Sequence, residues 1–174
     1  MARRSPRKFR SKGGKIVTKE FVQPRLARVI TLLRQLPGRR LFQYQAENGT
    51  VCGVTAREVN AFLREIAGTK ISLKDFRTLL ASASVLDALA RIKPAASVRQ
   101  RRKQVLEAVS AAAEDLANTP TICRKSYVHD TVVTAFEDGV LERFAQTLKN
   151  CRSPTRRAKV LARIIAAAGS PGMR

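Results

Sequence analysis

TAREVNAFLREIAGTKISLKDFRTLLASASVLDALARIKP, residues 55–94, carries two helices with their own start and stop signals. Thr55 and Glu58 stand three apart ahead of an apolar-periodic run, the pattern of a capping box, in which a hydroxyl and a carboxylate bond each other's backbone N–H groups. Val59, Phe62, Leu63 and Ile66 recur at helical spacing and predict the buried face; Gly68 closes the segment. Ser72-Leu-Lys-Asp75 opens a second helix whose predicted inner face is Phe76, Leu79, Leu80, Ala83 and Leu86, ending before Pro94.

The same reading extends in both directions. Downstream, an Ala-rich helix is predicted from about Val98 to Ala117. Thr119-Pro120 is an N-cap followed by Pro at the first helical position, starting a short helix through Ile122 to Tyr127. Asp130 restarts helix up to Asp138-Gly139, and Ser153-Pro154 caps a last one through Val160, Leu161, Ile164 and Ile165, stopped by Gly169. Upstream, Gln23–Leu36 is amphipathic and halted by Pro37-Gly38. Two hairpins are expected: Phe9–Phe21 about Gly13-Gly14, and Leu41–Tyr44 with Val51–Val54 about Asn48-Gly49. The predicted class is mainly α, with a small N-terminal β-hairpin and no room for a large sheet. The expected organisation is a basic tail over 1–8, a helical domain over 9–148 and a basic C-terminal helix and tail over 149–174.

Charge is high and blocked. Across 174 residues, 34 Lys and Arg face 13 Asp and Glu, a net charge of +21. Residues 1–40 hold 13 bases and one acid (Glu20), residues 41–90 hold five of each, and 91–103 and 149–174 hold six and seven bases with no acid. At 44% hydrophobic the chain can bury a core, unlike a disordered polyelectrolyte. Such an excess must sit near counter-charge, and a polyphosphate backbone supplies it. No apolar run reaches membrane-spanning or signal-peptide length, so the expected setting is the cytoplasm, associated with the nucleoid, with no membrane partner. Cys52, Cys123 and Cys151 are odd in number and widely spaced, unlike a disulfide framework or a zinc site.

Several chemistries lack their residues. There is no GxxxxGK[ST] or GxGxxG phosphate cradle, a single His, and only scattered carboxylates. No metal and no other cofactor is therefore expected. Lys, Arg and two tyrosines, Tyr44 and Tyr127, remain as reactive groups. Tyr127 follows Arg124 and Lys125, cations that favour the phenolate a nucleophile requires. Taken singly, Tyr127 is an amphipathic side chain near two cations, Arg77 a helix charge and Lys12 a phosphate-contacting lysine.

Taken in order they form a pattern. Phe-x-Ser-Lys12 in a glycine-turned hairpin, Lys74-Asp-Phe-Arg77-Thr, Asn118-Thr-Pro and Ser-Tyr127 resemble the catalytic domain of type IB DNA topoisomerases, most nearly the bacterial and poxvirus-like branch. Leu36-Pro-Gly, Leu41-Phe-Gln-Tyr44 and Val59-Asn-Ala-Phe-Leu-Arg-Glu-Ile-Ala-Gly68 also look like that family's connecting segments, so the likeness runs from about Phe9 to Gly139.

The resemblance implies an isomerase that cuts one strand of double-stranded DNA through a 3′-phosphotyrosine, lets the duplex swivel and reseals it, without metal or ATP. It implies Tyr127 as nucleophile, Arg77 as clamp on a non-bridging oxygen, Lys12 as general acid for the 5′-oxygen (with Lys15 as runner-up) and Asn118 as donor to the other oxygen. Lys15, Lys74, Arg101, Arg102, Arg124 and Lys125 are the expected DNA contacts. His129 reads as a helix-junction residue. The family's second catalytic Arg precedes the hairpin lysine by tens of residues, and here Lys12 is preceded by eleven. The expectation is thus a C-terminal catalytic fragment, truncated or degenerate, that relaxes supercoils weakly or not at all alone and is completed by an upstream DNA-clamping domain or a partner chain. Two alternatives stay open. A tyrosine recombinase shares the chemistry but usually carries His-x-x-Arg where Lys74-x-x-Arg77 stands, and a basic DNA-binding protein could keep the fold without the reaction.

Overall fold

The computed structural model describes residues 5–10, 16–21, 23–151 and 153–169. It divides into two compact units, one up to Leu73 and one from Lys74.

In the first unit, β1 (Ser5–Arg10) and β2 (Ile16–Phe21) pair antiparallel with Phe9 opposite Val17. The expected hairpin is present, beginning at Ser5; its Gly13-Gly14 turn lies outside the described residues. Helix α1 spans Pro24–Leu33, with Pro at its start and Gln23 extended ahead of it, three residues shorter at its end than the predicted Gln23–Leu36. Of its apolar stripe only Ile30 is buried. The chain then turns at Gly38, whose φ is +127°. That φ is strained for any residue with a side chain, and a Cβ on Gly38 would also stand 2.7 Å from the Gln43 Oε1, which would have to shift. Gln43 is buried and donates from Nε2 to the Leu36 carbonyl at 3.1 Å, which ties the post-helix turn to the next strand. Strands β3 (Gln43–Gln45) and β4 (Val51–Gly53) form the second antiparallel pair, joined through Asn48-Gly49 as expected.

Helix α2 (Ala56–Ala67) opens on the predicted capping box. The Glu58 N–H donates to the Thr55 hydroxyl at 3.2 Å, and the Thr55 N–H donates to the Glu58 carboxylate at 2.7 Å. Gly68 ends it in the left-handed conformation. The predicted stripe is in register, but its burial is corrected: Val59 and Leu63 are half-buried, whereas Phe62 and Ile66 are 58% and 69% exposed. Amphipathicity fixes which face is apolar; it does not supply the surface that covers it.

The second unit is helical: α3 (Leu73–Leu89), α4 (Val98–Asp115), α5 (Pro120–Ser126), α6 (Asp130–Glu137), α7 (Glu142–Lys149) and α8 (Pro154–Gly169). One continuous core joins Val85, Leu86 and Leu89 of α3, Val109 and Ala112 of α4, Cys123 of α5, Val132 and Phe136 of α6, Leu148 of α7 and Ile164 of α8. Each large side chain there contributes about 1.5–3 kcal/mol by leaving water. The inner face of α3 differs from the predicted one. Ala81, Ser82, Val85, Leu86 and Leu89 are buried, while Phe76, Leu79 and Leu80 are exposed. Among the described residues no helix is long and apolar enough to cross a membrane. The protein is mainly helical with small antiparallel hairpins.

Candidate active site

The site is built where α3 passes the connection between α4 and α5. Helix α4 ends in a Schellman motif, in which a left-handed residue folds the chain back so that two N–H groups bond carbonyls of the last turn. Ala117 takes the left-handed position at φ 55°. Its N–H reaches the Glu114 carbonyl at 3.1 Å, and the Asn118 N–H reaches the Ala113 carbonyl at 2.9 Å. This turn leaves the Leu116 carbonyl open and sets Asn118 one residue ahead of the α5 cap. Thr119 then caps α5, its hydroxyl accepting from the Ile122 N–H at 3.3 Å, with Pro120 at the first helical position as the sequence predicts.

Arg77 of α3 fills the space this turn creates. Its guanidinium donates to the Leu116 carbonyl at 2.9 Å, and its central carbon lies 4.9 Å from the centre of the Tyr127 ring. A guanidinium over an aromatic face is attractive and leaves the in-plane N–H groups free. Two donors are conspicuous: Arg77 Nε and Asn118 Nδ2 are buried and have no hydrogen-bond partner among the described residues. Buried donors are nearly always paired, so two unpartnered donors flanking one turn single this place out.

Tyr127 terminates α5, its N–H bonded to the Cys123 carbonyl at 2.9 Å. Cys123, one turn earlier, is fully buried; burial pushes its thiol up from the usual range, and the Arg77 charge works the other way to a lesser extent. Ser82, 1% exposed, donates to the Tyr127 carbonyl at 3.2 Å and accepts from the His129 N–H at 3.0 Å. His129 itself caps α6, its Nδ1 accepting from the Thr131 N–H at 3.3 Å, in keeping with a helix-junction residue.

Of the residues singled out in the sequence, the structure brings Arg77 against Tyr127 and sets Asn118 two residues from the Leu116 carbonyl that Arg77 holds. Lys12 and Lys15 lie outside the described residues. Lys74, Arg102 and Lys125 are exposed. Arg124 pairs with Asp130. Arg101 is half-buried and bonds the Ala95 and Ala96 carbonyls at 2.8 and 3.0 Å, so its guanidinium braces the loop between α3 and α4. Ser82 and the Ala117 turn escaped the sequence reading. A polar residue inside the Ala81–Leu86 run was the available signal for the first; a non-glycine residue in the left-handed conformation has none. Among the described residues no group of His, Cys, Asp and Glu is placed to hold a metal ion.

A family model described as eukaryotic DNA topoisomerase I, catalytic core, matches residues 15–154. The match takes in Arg77, Asn118 and Tyr127, begins at Lys15 and leaves Lys12 outside. A curated relative, DNA topoisomerase 1B of Acanthamoeba polyphaga mimivirus, is 28% identical over 116 residues, which is 63% of this chain and 34% of that protein. The chain thus spans about a third of the length of the curated relative it matches. With the family model covering most of the sequence and enclosing the Arg77–Tyr127 pair, the chain belongs to the type IB DNA topoisomerase catalytic-core family.

Proposed function

We propose that the chain carries out the strand cleavage and rejoining of a type IB topoisomerase on double-stranded DNA. The Tyr127 hydroxyl oxygen attacks a backbone phosphorus as its proton leaves. The P–O5′ bond breaks, its electron pair goes to the 5′-oxygen, and a proton makes that oxygen a hydroxyl. The product is a 3′-phosphotyrosyl link. After the duplex swivels, the 5′-hydroxyl attacks the same phosphorus, the phenol leaves, and the strand is whole. The bond energy stays in the ester throughout, so the cycle needs no nucleotide hydrolysis.

The reading is carried by the Arg77 guanidinium, which rests on the Tyr127 ring with its buried Nε unpartnered among the described residues. In the pentavalent transition state negative charge builds on the non-bridging oxygens, and preorganised donors there lower the barrier more than they aid ground-state binding. Arg77 serves one oxygen and the Asn118 amide the other. On the family resemblance, Lys12 protonates the 5′-oxygen. Lys74, Arg102, Arg124 and Lys125 add phosphate contacts, the electrostatic share of affinity.

A duplex whose cleaved 5′-hydroxyl fragment is too short to stay bound tests this, because religation is lost and the covalent form accumulates. The expected result is a denaturation-resistant adduct with the purified chain and none with Tyr127→Phe. Duplex binding without any adduct, under conditions that trap a relative carrying its upstream domain, would instead favour a basic DNA-binding protein.

A further inference from the structure

We infer that Ser82 is a positioning residue for the Tyr127 nucleophile, an inference that rests on the function proposed above. Ser82 lies about a turn and a half beyond Arg77 on the same helix, on a face otherwise made of Ala81, Val85, Leu86 and Leu89. A hydroxyl there must find partners or destabilise the fold. It finds two that flank the nucleophile: it donates to the Tyr127 carbonyl at 3.2 Å and accepts from the His129 N–H at 3.0 Å. Both groups belong to the break between α5 and α6. Tyr127 is the C-cap after the last helical residue, Ser126, already outside helical geometry at φ −134° and ψ −14°, so its carbonyl has no successor in the helix to bond it.

The consequence is geometric. Arg77 and Ser82 are fixed to each other by the α3 backbone. One holds the Tyr127 ring and the other its main chain, so the clamp and the nucleophile share one rigid ruler. Removing the hydroxyl takes away the tie between the Tyr127 main chain and α3, leaving only the bond from its N–H to the Cys123 carbonyl, and a misplacement of the ring by about 1 Å costs about a hundredfold in rate. Ser82 touches neither the phosphate nor the phenolic oxygen. Its effect runs through Tyr127.

The test uses a spectroscopic property of this chain. It has no Trp and two tyrosines, so in a Tyr44→Phe background the fluorescence comes from Tyr127 alone. In that background Ser82→Ala should keep its helical circular dichroism and its duplex affinity. It should lose about ten- to a hundredfold in the rate of adduct formation at saturating duplex, and acrylamide quenching of Tyr127 should rise. Ser82→Thr, which retains the hydroxyl, should restore both readouts. Wild-type cleavage and unchanged quenching in Ser82→Ala would overturn the inference. If the parent chain forms no adduct while quenching still rises in Ser82→Ala and falls back in Ser82→Thr, Ser82 holds the Tyr127 ring but the proposed reaction fails, and the role of positioning a nucleophile falls with it.

Discussion

The guanidinium carbon of Arg77 sits 4.9 Å from the centre of the Tyr127 ring, and the same guanidinium is pinned to the Leu116 carbonyl at 2.9 Å. One cation therefore does two jobs: it closes the turn that ends α4 and it carries the ring that ends α5. Its Nε–H is buried and has no hydrogen-bond partner among the described residues.

Replacing Arg77 should be costly in a way that retaining charge does not repair. Lys presents a compact ammonium with no planar fork, and it cannot bond Leu116, cover the ring and donate outward together. Adduct formation on the trapping duplex should fall by about 100- to 1,000-fold in Arg77→Ala, in the range for loss of one transition-state donor. Arg77→Lys should recover only a small part. Equal rates for Arg77→Lys and the unaltered chain would contradict the clamp.

Ala117 offers a stability test of the turn that presents the Leu116 carbonyl and Asn118. At φ 55° its methyl group is strained, whereas glycine adopts that conformation without penalty. Ala117→Gly should stabilise the chain by about 0.5–1 kcal/mol after the added freedom of the unfolded state is counted. The melting temperature should rise by about 1–4 °C. Ala117→Val should lower it, because branching at Cβ worsens the same clash.

Arg101 and Arg102 are neighbours with opposite expected phenotypes. Arg101 is committed to the Ala95 and Ala96 carbonyls, so Arg101→Gln should cost about 1–2 kcal/mol in denaturant unfolding. Arg102 is exposed, and Arg102→Gln should leave stability unchanged while reducing the slope of log affinity against log salt by about 1. A salt slope that responds to Arg101 alone would reverse the assignment.

The capping box of α2 predicts an acid-sensitive helix start. The Thr55 hydroxyl, and then its backbone N–H, donate to Glu58 and hold that carboxyl below its usual value of 4.5. A carboxyl depressed in the folded state adds stability that is complete above the unfolded value and disappears as pH falls through the folded one. Amide exchange at the first turn of α2 should therefore accelerate below about pH 4.5 once corrected for intrinsic rates. In Glu58→Gln that acid-induced step should be absent.

Local chemistry was the legible part of this sequence. Thr55 with Glu58, Gly68, Asn48-Gly49 and Thr119-Pro120 each act through their own backbone neighbours, and each element stands where those residues place it. What depends on distant packing was harder to read. Along α3 both faces are apolar, so periodicity alone selected Leu79 and Leu80, yet Leu80 is 64% exposed and the core takes the smaller Ala81 and Ser82. Helix α7 carries only Phe144 and Leu148 on its inner side, too sparse a pattern to announce a helix. At the site, Tyr127, Arg77 and Asn118 were visible through their order along the chain. The Leu116 carbonyl and the Ser82 hydroxyl were not, because a backbone oxygen has no sequence signature and a single serine has too many other uses.

Identification of the residue that carries the nucleotide after suicide cleavage is the most direct test. The chain has two tyrosines, and Tyr44 is itself exposed enough to compete. Protease digestion and tandem mass spectrometry of the trapped complex should locate a 3′-phosphonucleotide on Tyr127, with the adduct retained in Tyr44→Phe and lost in Tyr127→Phe. A nucleotide on Tyr44 or on any other side chain, or an adduct that survives in Tyr127→Phe, would contradict the account.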